Sequence, residues 1–350
     1  MSVLTTTAVI TILFFLSVAG IPDTAGITAF MSFFSSGYPM YSAQTAAPER
    51  MYVLPSGCPF GIKVRSDGVM VVGVNNGSPA QKCGIRKGDV ITSVNGTEVT
   101  TNEELSAAIQ LSSPASLCVR RGDSLLYLSA TPDTDDGILR IGAWVRDSAA
   151  GIGTLTFVSP ETGDFAGLGH SVSDVTTGDA VPLGKGEITA ADIYDVIKGK
   201  SGETGELCGV LIGQDSIGSL TANTDVGVFG QMNVPPTCGE PVPVAFRHEV
   251  ECGEAVILST ISGTQPQEYS IEIERINLCD LNGSKGMVIS VTDKRLLEQT
   301  GGIVRGMSGS PILQNGRLVG AVTHVLVNDP TKGYAVFAET MLSEMSDISS

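Results

Sequence analysis

The chain has 350 residues, 42% of them hydrophobic, with 21 Lys+Arg against 37 Asp+Glu and a net charge of −16. That length and apolar content exclude a wholly disordered chain and leave room for two domains with cores of their own. The acidic balance excludes nucleic acid and anionic lipid headgroups as partners, since both need a basic footprint.

Residues 3–21 contain no charged side chain, and the first basic residue is Arg50. As a helix this run spans about 28 Å, close to the apolar thickness of a bilayer. It reads as a signal peptide, with a small-x-small pattern at Ser17-Val18-Ala19, or as an uncleaved anchor. A buried soluble helix is the third reading. Both membrane readings put the rest of the chain outside the cytoplasm. Residues 22–50 are rich in Ser, Thr, Ala, Gly and Pro, the composition of a linker. Seven cysteines are scattered without a CxxC pair, so no metal is expected, nor any cofactor.

Residues 51–133 alternate strands and tight turns. A strand begins at Gly61-Ile62-Lys63-Val64 and a stronger one covers 69–74. Ser78 with Pro79 starts a short helix and Gly84 ends it. A strand at 89–94 runs into Asn95-Gly96, the strongest two-residue hairpin signal. Thr101 or Asn102 then caps a helix reaching about 110, with Leu105, Ala108 and Ile109 on one face. This SPAxxxGIxxGDxIxxVNG run and the helix after it resemble a PDZ domain. The resemblance implies a peptide ligand added to the strand Gly61, Ile62 and Lys63, with a carboxylate loop at 58–61. Cys58-Pro59 interrupts that loop, so an internal segment fits as well as a free C-terminus.

Residues 133–136 are an acidic turn and a domain boundary. From 137 to 350 the pattern is β-rich, with strands expected at 141–145, 153–158, 180–183, 206–212, 242–246, 255–261, 269–277, 286–291, 311–313, 318–324 and 334–338. A helix starts at Glu339, and 294–299 form a short helical turn. Strands in that number suggest an all-β sandwich or double barrel.

The chemistry centres on Gly-Met-Ser-Gly-Ser-Pro at 306–311. A serine that attacks a carbonyl needs a base, a partner fixing that base's tautomer, and N–H donors for the oxyanion. The N–H groups of Gly306 and Ser308 suit the last role, and Gly309 leaves room for the carbonyl. The run resembles the Gly-Asp-Ser-Gly-Gly-Pro turn of chymotrypsin-like serine proteases, which makes Ser308 the nucleophile and Ser310 the structural neighbour. Of three histidines, His170 follows a strand and a glycine-rich bend and is the expected base. His324 packs beside the site, and His248 sits on a charged edge. Asp293, fifteen positions before Ser308, is the candidate carboxylate; its other reading is an N-cap for 294–299. Asp174 reads as a cap or turn residue.

With the segments 144–156, 167–170, 291–293 with 300–304, 306–311, and 320–325 with 328–334, the chain looks like the SpoIVB family of sporulation serine peptidases. The resemblance implies a mainly β chain, with a PDZ domain followed by a chymotrypsin-like double β-barrel, and a triad on His170, Asp293 and Ser308. It also implies a membrane-associated N-terminus, self-cleavage in trans, and action in the forespore intermembrane space. The implied substrate is a protein regulator of a membrane-embedded protease, whose cleavage activates a late sigma factor. The alternative is a PDZ scaffold that has lost activity, but Ser308, His170 and Asp293 are all present.

Overall fold

A computed structural model describes residues 50–213, 215–234, 239–279 and 283–349. The expected membrane segment and all of the linker up to residue 49 lie outside the described residues. Among the described residues no helix is long and apolar enough to cross a membrane.

Tyr52–Pro55 (β1) and Pro59–Val74 (β2) open the described chain. β2 has sixteen residues, and its inward side chains include Ile62, Val64, Val69 and Val71. Its two halves lie in different cores. Ile62 and Val64 pack with Phe60, Leu155, Phe165 and Ile188, whereas Val69 and Val71 pack with Ile91, Leu105, Leu117 and Val119.

The second of these cores belongs to the PDZ unit. Its elements are Pro79–Cys83 (α1), Val90–Val94 (β3), Thr97–Glu98 (β4), Asn102–Gln110 (α2), Ala115–Arg121 (β5) and Ser124–Ala130 (β6). The hairpin Asp133–Asp135 (β7) and Ile138–Arg140 (β8) follows. Local chemistry explains the boundaries. The Ser78 side chain accepts from the Gln81 N–H, and Gly84 closes α1 at φ 95°. Thr101 and Glu104 form a reciprocal capping box at the start of α2. Asn95 and Gly96 both take positive φ, 53° and 82°, as a two-residue hairpin turn requires.

Ala143–Val158 (β9), another sixteen-residue strand, runs antiparallel along β2 from Val74↔Ala143 to Pro59↔Thr154. Beyond it lie Asp164–Gly167 (β10), Lys185–Ile197 (β11), Glu206–Ile212 (β12), Gly218–Thr224 (β13), Gly227–Met232 (β14) and Val242–Pro243 (β15). The pairings β9–β10, β10–β14, β14–β13, β13–β11, β11–β2 and β2–β9 close a ring of six strands. Gly253–Ser259 (β16), Gln267–Ile276 (β17), Met287–Val291 (β18), Pro311–Gln314 (β19), Arg317–Leu326 (β20) and Asp329–Phe337 (β21) close a second barrel. The helix Lys294–Thr300 (α3) follows β18, and Ala338–Ser349 (α4) ends the chain. Met341 and Met345 of α4 pack with Phe157, Val226, Val244 and Leu318, and so tie the two barrels together.

The architecture is mainly β with two barrels, as expected, but the assignment of residues differs. Residues 59–66 are not the start of the PDZ domain. They are a wall strand of the first barrel, and the PDZ unit is inserted between β2 and β9, which both run on into it. Four strands of the first barrel, β10, β11, β13 and β14, were not expected, the hairpin β7–β8 replaces the acidic turn expected at 133–136, and 180–183 forms only the isolated bridge Ser173↔Ala180.

Candidate active site

The loop 301–311 brings Ser308 to the junction of the barrels. Gly306 and Gly309 take φ of 97° and 96°, which L side chains rarely adopt. Both barrels hold the turn. From β9, the Thr154 hydroxyl donates to the Gly306 carbonyl (2.7 Å) and the Thr154 N–H to the Ser308 carbonyl (3.0 Å). The Thr156 hydroxyl donates to the Gly309 carbonyl (2.8 Å). From β20, the Val322 carbonyl accepts from the Gly309 N–H (2.8 Å). A Cβ at Gly309 would lie 2.0 Å from the Thr154 carbonyl oxygen. The glycine is needed for the approach of the barrels, rather than only to admit a substrate. Ser310 is fully buried, with its hydroxyl 3.0 Å from that of Ser259, and is structural.

Ser308 lines a cleft of ≈ 1180 Å³ between the barrels, together with Gly306, His170, Thr323 and His324. Among the described residues, the N–H groups of Gly306 and Ser308 find no acceptor. The Ser308 hydroxyl donates to the Thr323 carbonyl (2.6 Å).

His170 reaches the cleft from the end of β10 through Leu168 and Gly169, at φ 65° and 70°. Its Nδ1 lies 2.8 Å from the Ser171 carbonyl. A carbonyl can only accept, so Nδ1 carries the proton and Nε2 keeps its lone pair. Burial pushes the His170 pKa below 6.5, against the bond to Ser171, so the ring is neutral at pH 7. The His324 ring is centred 4.9 Å away. Desolvation, then His170 and the charge of Lys285, push its pKa down to about 4. Sequence put His324 at the end of the strand following the nucleophile, packed beside the site, and the structure places it in the cleft wall. His248 stacks on Phe246 (5.7 Å) and is not part of the cleft wall.

The structure does not bring Asp293 to this cleft. Its carboxylate caps α3, accepting from the Arg295 N–H (2.8 Å) and the Ser270 N–H (3.3 Å), and pairs with the Arg295 guanidinium (2.8 Å). The Arg295 side chain, then the N–H donors of Arg295 and Ser270, outweigh burial and hold its pKa at about 2. The sequence separation of fifteen is taken up by α3 and the loop after it, which carry the chain from the Ser270 side of the barrel to the cleft. Gly61, Ile62 and Lys63 are also corrected as a peptide-binding edge. Both sides of that strand are occupied, Ile62 pairing with Gly151 of β9 and Ile188 of β11. A ligand strand has no free edge there.

The chain matches the SpoIVB peptidase S55 family over residues 137–342 and the PDZ domain family over residues 70–121. The first match covers more than half of the chain. This protein belongs to the SpoIVB peptidase S55 family. The S55 chain is also similar to the "Probable periplasmic serine endoprotease DegP-like" of Hahella chejuensis, 32% identical over 39% of this chain and 31% of that protein. It is 41% identical to human serine protease HTRA3 over 19% of this chain and 15% of that one. The S55 chain thus spans a third or less of the length of these curated relatives. Among solved structures, the active form of the Rv3671c protease from M. tuberculosis is 17% identical, with a TM-score of 0.35 over 57% of this chain and 74% of that one.

Proposed function

We propose that the chain is a serine endopeptidase with Ser308 as nucleophile and His170 as general base. The observation that supports this reading is the convergence of the two residues, one from each barrel, on a single cleft beside two N–H groups that have no acceptor among the described residues. Rotation of the Ser308 hydroxyl away from Thr323 toward His170 Nε2 lets the imidazole take its proton as Oγ bonds to the scissile carbonyl carbon. The N–H groups of Gly306 and Ser308 take up the oxyanion. The imidazolium returns its proton to the leaving amine, and water cleaves the ester by the same route. In this reading the Ser171 carbonyl fixes the tautomer and Asp293 has no chemical role.

The family suggests the finer reading. The peptidase acts outside the cytoplasm, in the forespore intermembrane space, held to the membrane by its N-terminus. It cleaves itself in trans within residues 22–50 and cuts a regulator of a membrane-embedded protease to activate a late sigma factor. The PDZ unit takes a peptide as an added strand. We assign that strand to the edge of β9 at 143–147, which among the described residues has β2 as its one strand neighbour.

One observation favours the inactive scaffold instead: the Ser308 hydroxyl is held by Thr323 and not by His170. N-terminal sequencing of the full chain and its Ser308→Ala variant, with labelling by a fluorophosphonate, separates the two. Trimming and labelling in the wild type alone are expected. Identical trimming of the variant in a protease-deficient host defeats the assignment.

A further inference from the structure

Residues 171–180, which follow His170, form a small ring around one buried carboxylate. The Asp174 side chain is fully buried. Its Oδ1 accepts the N–H groups of Thr176 (2.8 Å) and Thr177 (2.9 Å). Its own N–H donates to the Asp179 carbonyl (2.9 Å), and the Gly178 N–H donates to its carbonyl (2.8 Å). On one side Asn223 ties the ring to the first barrel, donating to the carbonyls of Val172 (2.9 Å) and Val181 (2.8 Å).

On the other side the ring is tied to the PDZ unit. The Arg146 guanidinium pairs with Asp174 Oδ2. The Lys87 ammonium donates to the Thr176 carbonyl. Gly88 sits against Asp179, where a Cβ would lie 2.9 Å from the carboxylate. Arg146 lies on β9 in the stretch shared by the PDZ unit and the first barrel. Its neighbour Asp147 accepts the N–H of Asn102, the first residue of α2 (2.9 Å). A chain of direct contacts therefore runs from α2 through β9 to Asp174, and from Asp174 along four residues to His170.

We propose that Arg146 is a positioning residue for the peptidase: by pairing with Asp174 across the boundary, it makes the PDZ unit hold the loop that presents His170 to Ser308. A carboxylate buried this deeply stays charged because the two N–H donors and Arg146 compensate its desolvation. Without the cation, the ring must open to water or rearrange. The base moves with it. A displacement on the order of 1 Å at a catalytic group costs about 100-fold in rate. The loss falls on kcat, because the base acts in the transition state; Arg146 also lines the cleft, so any contact of its own with substrate is read separately, in KM.

The inference rests on His170 being the base, and the test separates failure of that reading from failure of the coupling. The chain has three histidines, so their ring Cε1–H resonances can be assigned by single substitution. In the full chain carrying Ser308→Ala, which prevents self-cleavage, Arg146→Ala is expected to shift the His170 resonance and its titration midpoint and to leave His248 in place. In the active chain Arg146→Ala lowers kcat about 30- to 100-fold, with KM changed less than about 3-fold. Arg146→Lys, which restores a point charge, recovers part of both signals. Arg120→Ala, on the PDZ sheet but paired with Asp67, changes neither. Should Arg146→Ala fail to fold, Arg146→Lys and Lys87→Ala decide by the same two readouts. An unmoved His170 resonance with unchanged kcat overturns the proposal. A moved resonance in a chain without any peptidase activity supports the coupling and defeats the catalytic reading.

Discussion

The imidazoles of His170 and His324 lie 4.9 Å apart, tilted by 38°, and both face the cleft that holds Ser308. His170 arrives from the first barrel and His324 from the second. Both have pKa values below the ordinary 6.5, so both rings are neutral at pH 7.

Stability should therefore fall on acidification. Between pH 6.5 and about 4 the unfolded chain binds protons that the folded His324 refuses, so folded stability drops as pH falls through that window. His324→Phe removes this titration. Its Tm is expected to decline less than the wild type's between pH 7 and pH 4.5. Parallel Tm–pH curves for the two proteins would count against the assigned environment.

The acid limb of the activity profile follows the same logic. His170 must be neutral to accept a proton, and burial lowers its pKa. The fall of kcat/KM on acidification is thus expected below pH 6.5, in a titration of the free enzyme. A midpoint at or above 7 shows that another group, or a differently placed imidazole, is the base.

Asp293 provides a direct contest between geometry and resemblance. A carboxylate that only caps α3 and binds Arg295 predicts that Asp293→Ala costs about 1 kcal/mol of stability. It also predicts kcat/KM within about 3-fold for Asp293→Asn, because Asn still caps a helix well. A triad carboxylate predicts a loss on the order of 10⁴-fold in kcat. Denaturant titration and steady-state kinetics on the two variants decide it.

Gly309→Ala should be among the most damaging single changes in the chain. The substitution puts a methyl group 2.0 Å from the Thr154 carbonyl oxygen at φ 96°. A loss of at least about 2 kcal/mol is expected. Wild-type stability in a denaturant melt means that the barrels do not meet as described.

Lys63→Ala should leave peptide binding by the PDZ unit unchanged, since Lys63 lies on a strand paired on both sides and its side chain makes an exposed bridge to Glu187 (3.5 Å). The check is fluorescence anisotropy with a peptide selected from a display library. A tenfold weaker Kd in the variant returns the ligand to the edge first expected from sequence.

Features set within a few residues of chain were legible without a structure. Ser78, Gly84, Thr101 and Asn95-Gly96 each act on their own or adjacent backbone groups, and each appears where expected. The turn around Ser308 was legible for the same reason, because the positive φ values at Gly306 and Gly309 are properties of those residues. Strands β11, β13 and β14 escaped notice because their apolar positions are diluted by Gly, Asp, Asn and Thr, residues tolerated there by the pairing on each side.

Sequence alone determined the β-rich class, the PDZ-like run, and the serine and histidine that line the cleft. Tertiary structure alone decided which strands pair, and with that decision the rest changed. Residues 59–66 went to a barrel, Gly61 to Lys63 lost their free edge, and Asp293 was left on another side of the second barrel. The physical reason is that a strand's alternation specifies which face is buried but not its neighbour, since backbone N–H and C=O groups bond equally well to any strand edge. Only the closure of both rings at once selects the partner.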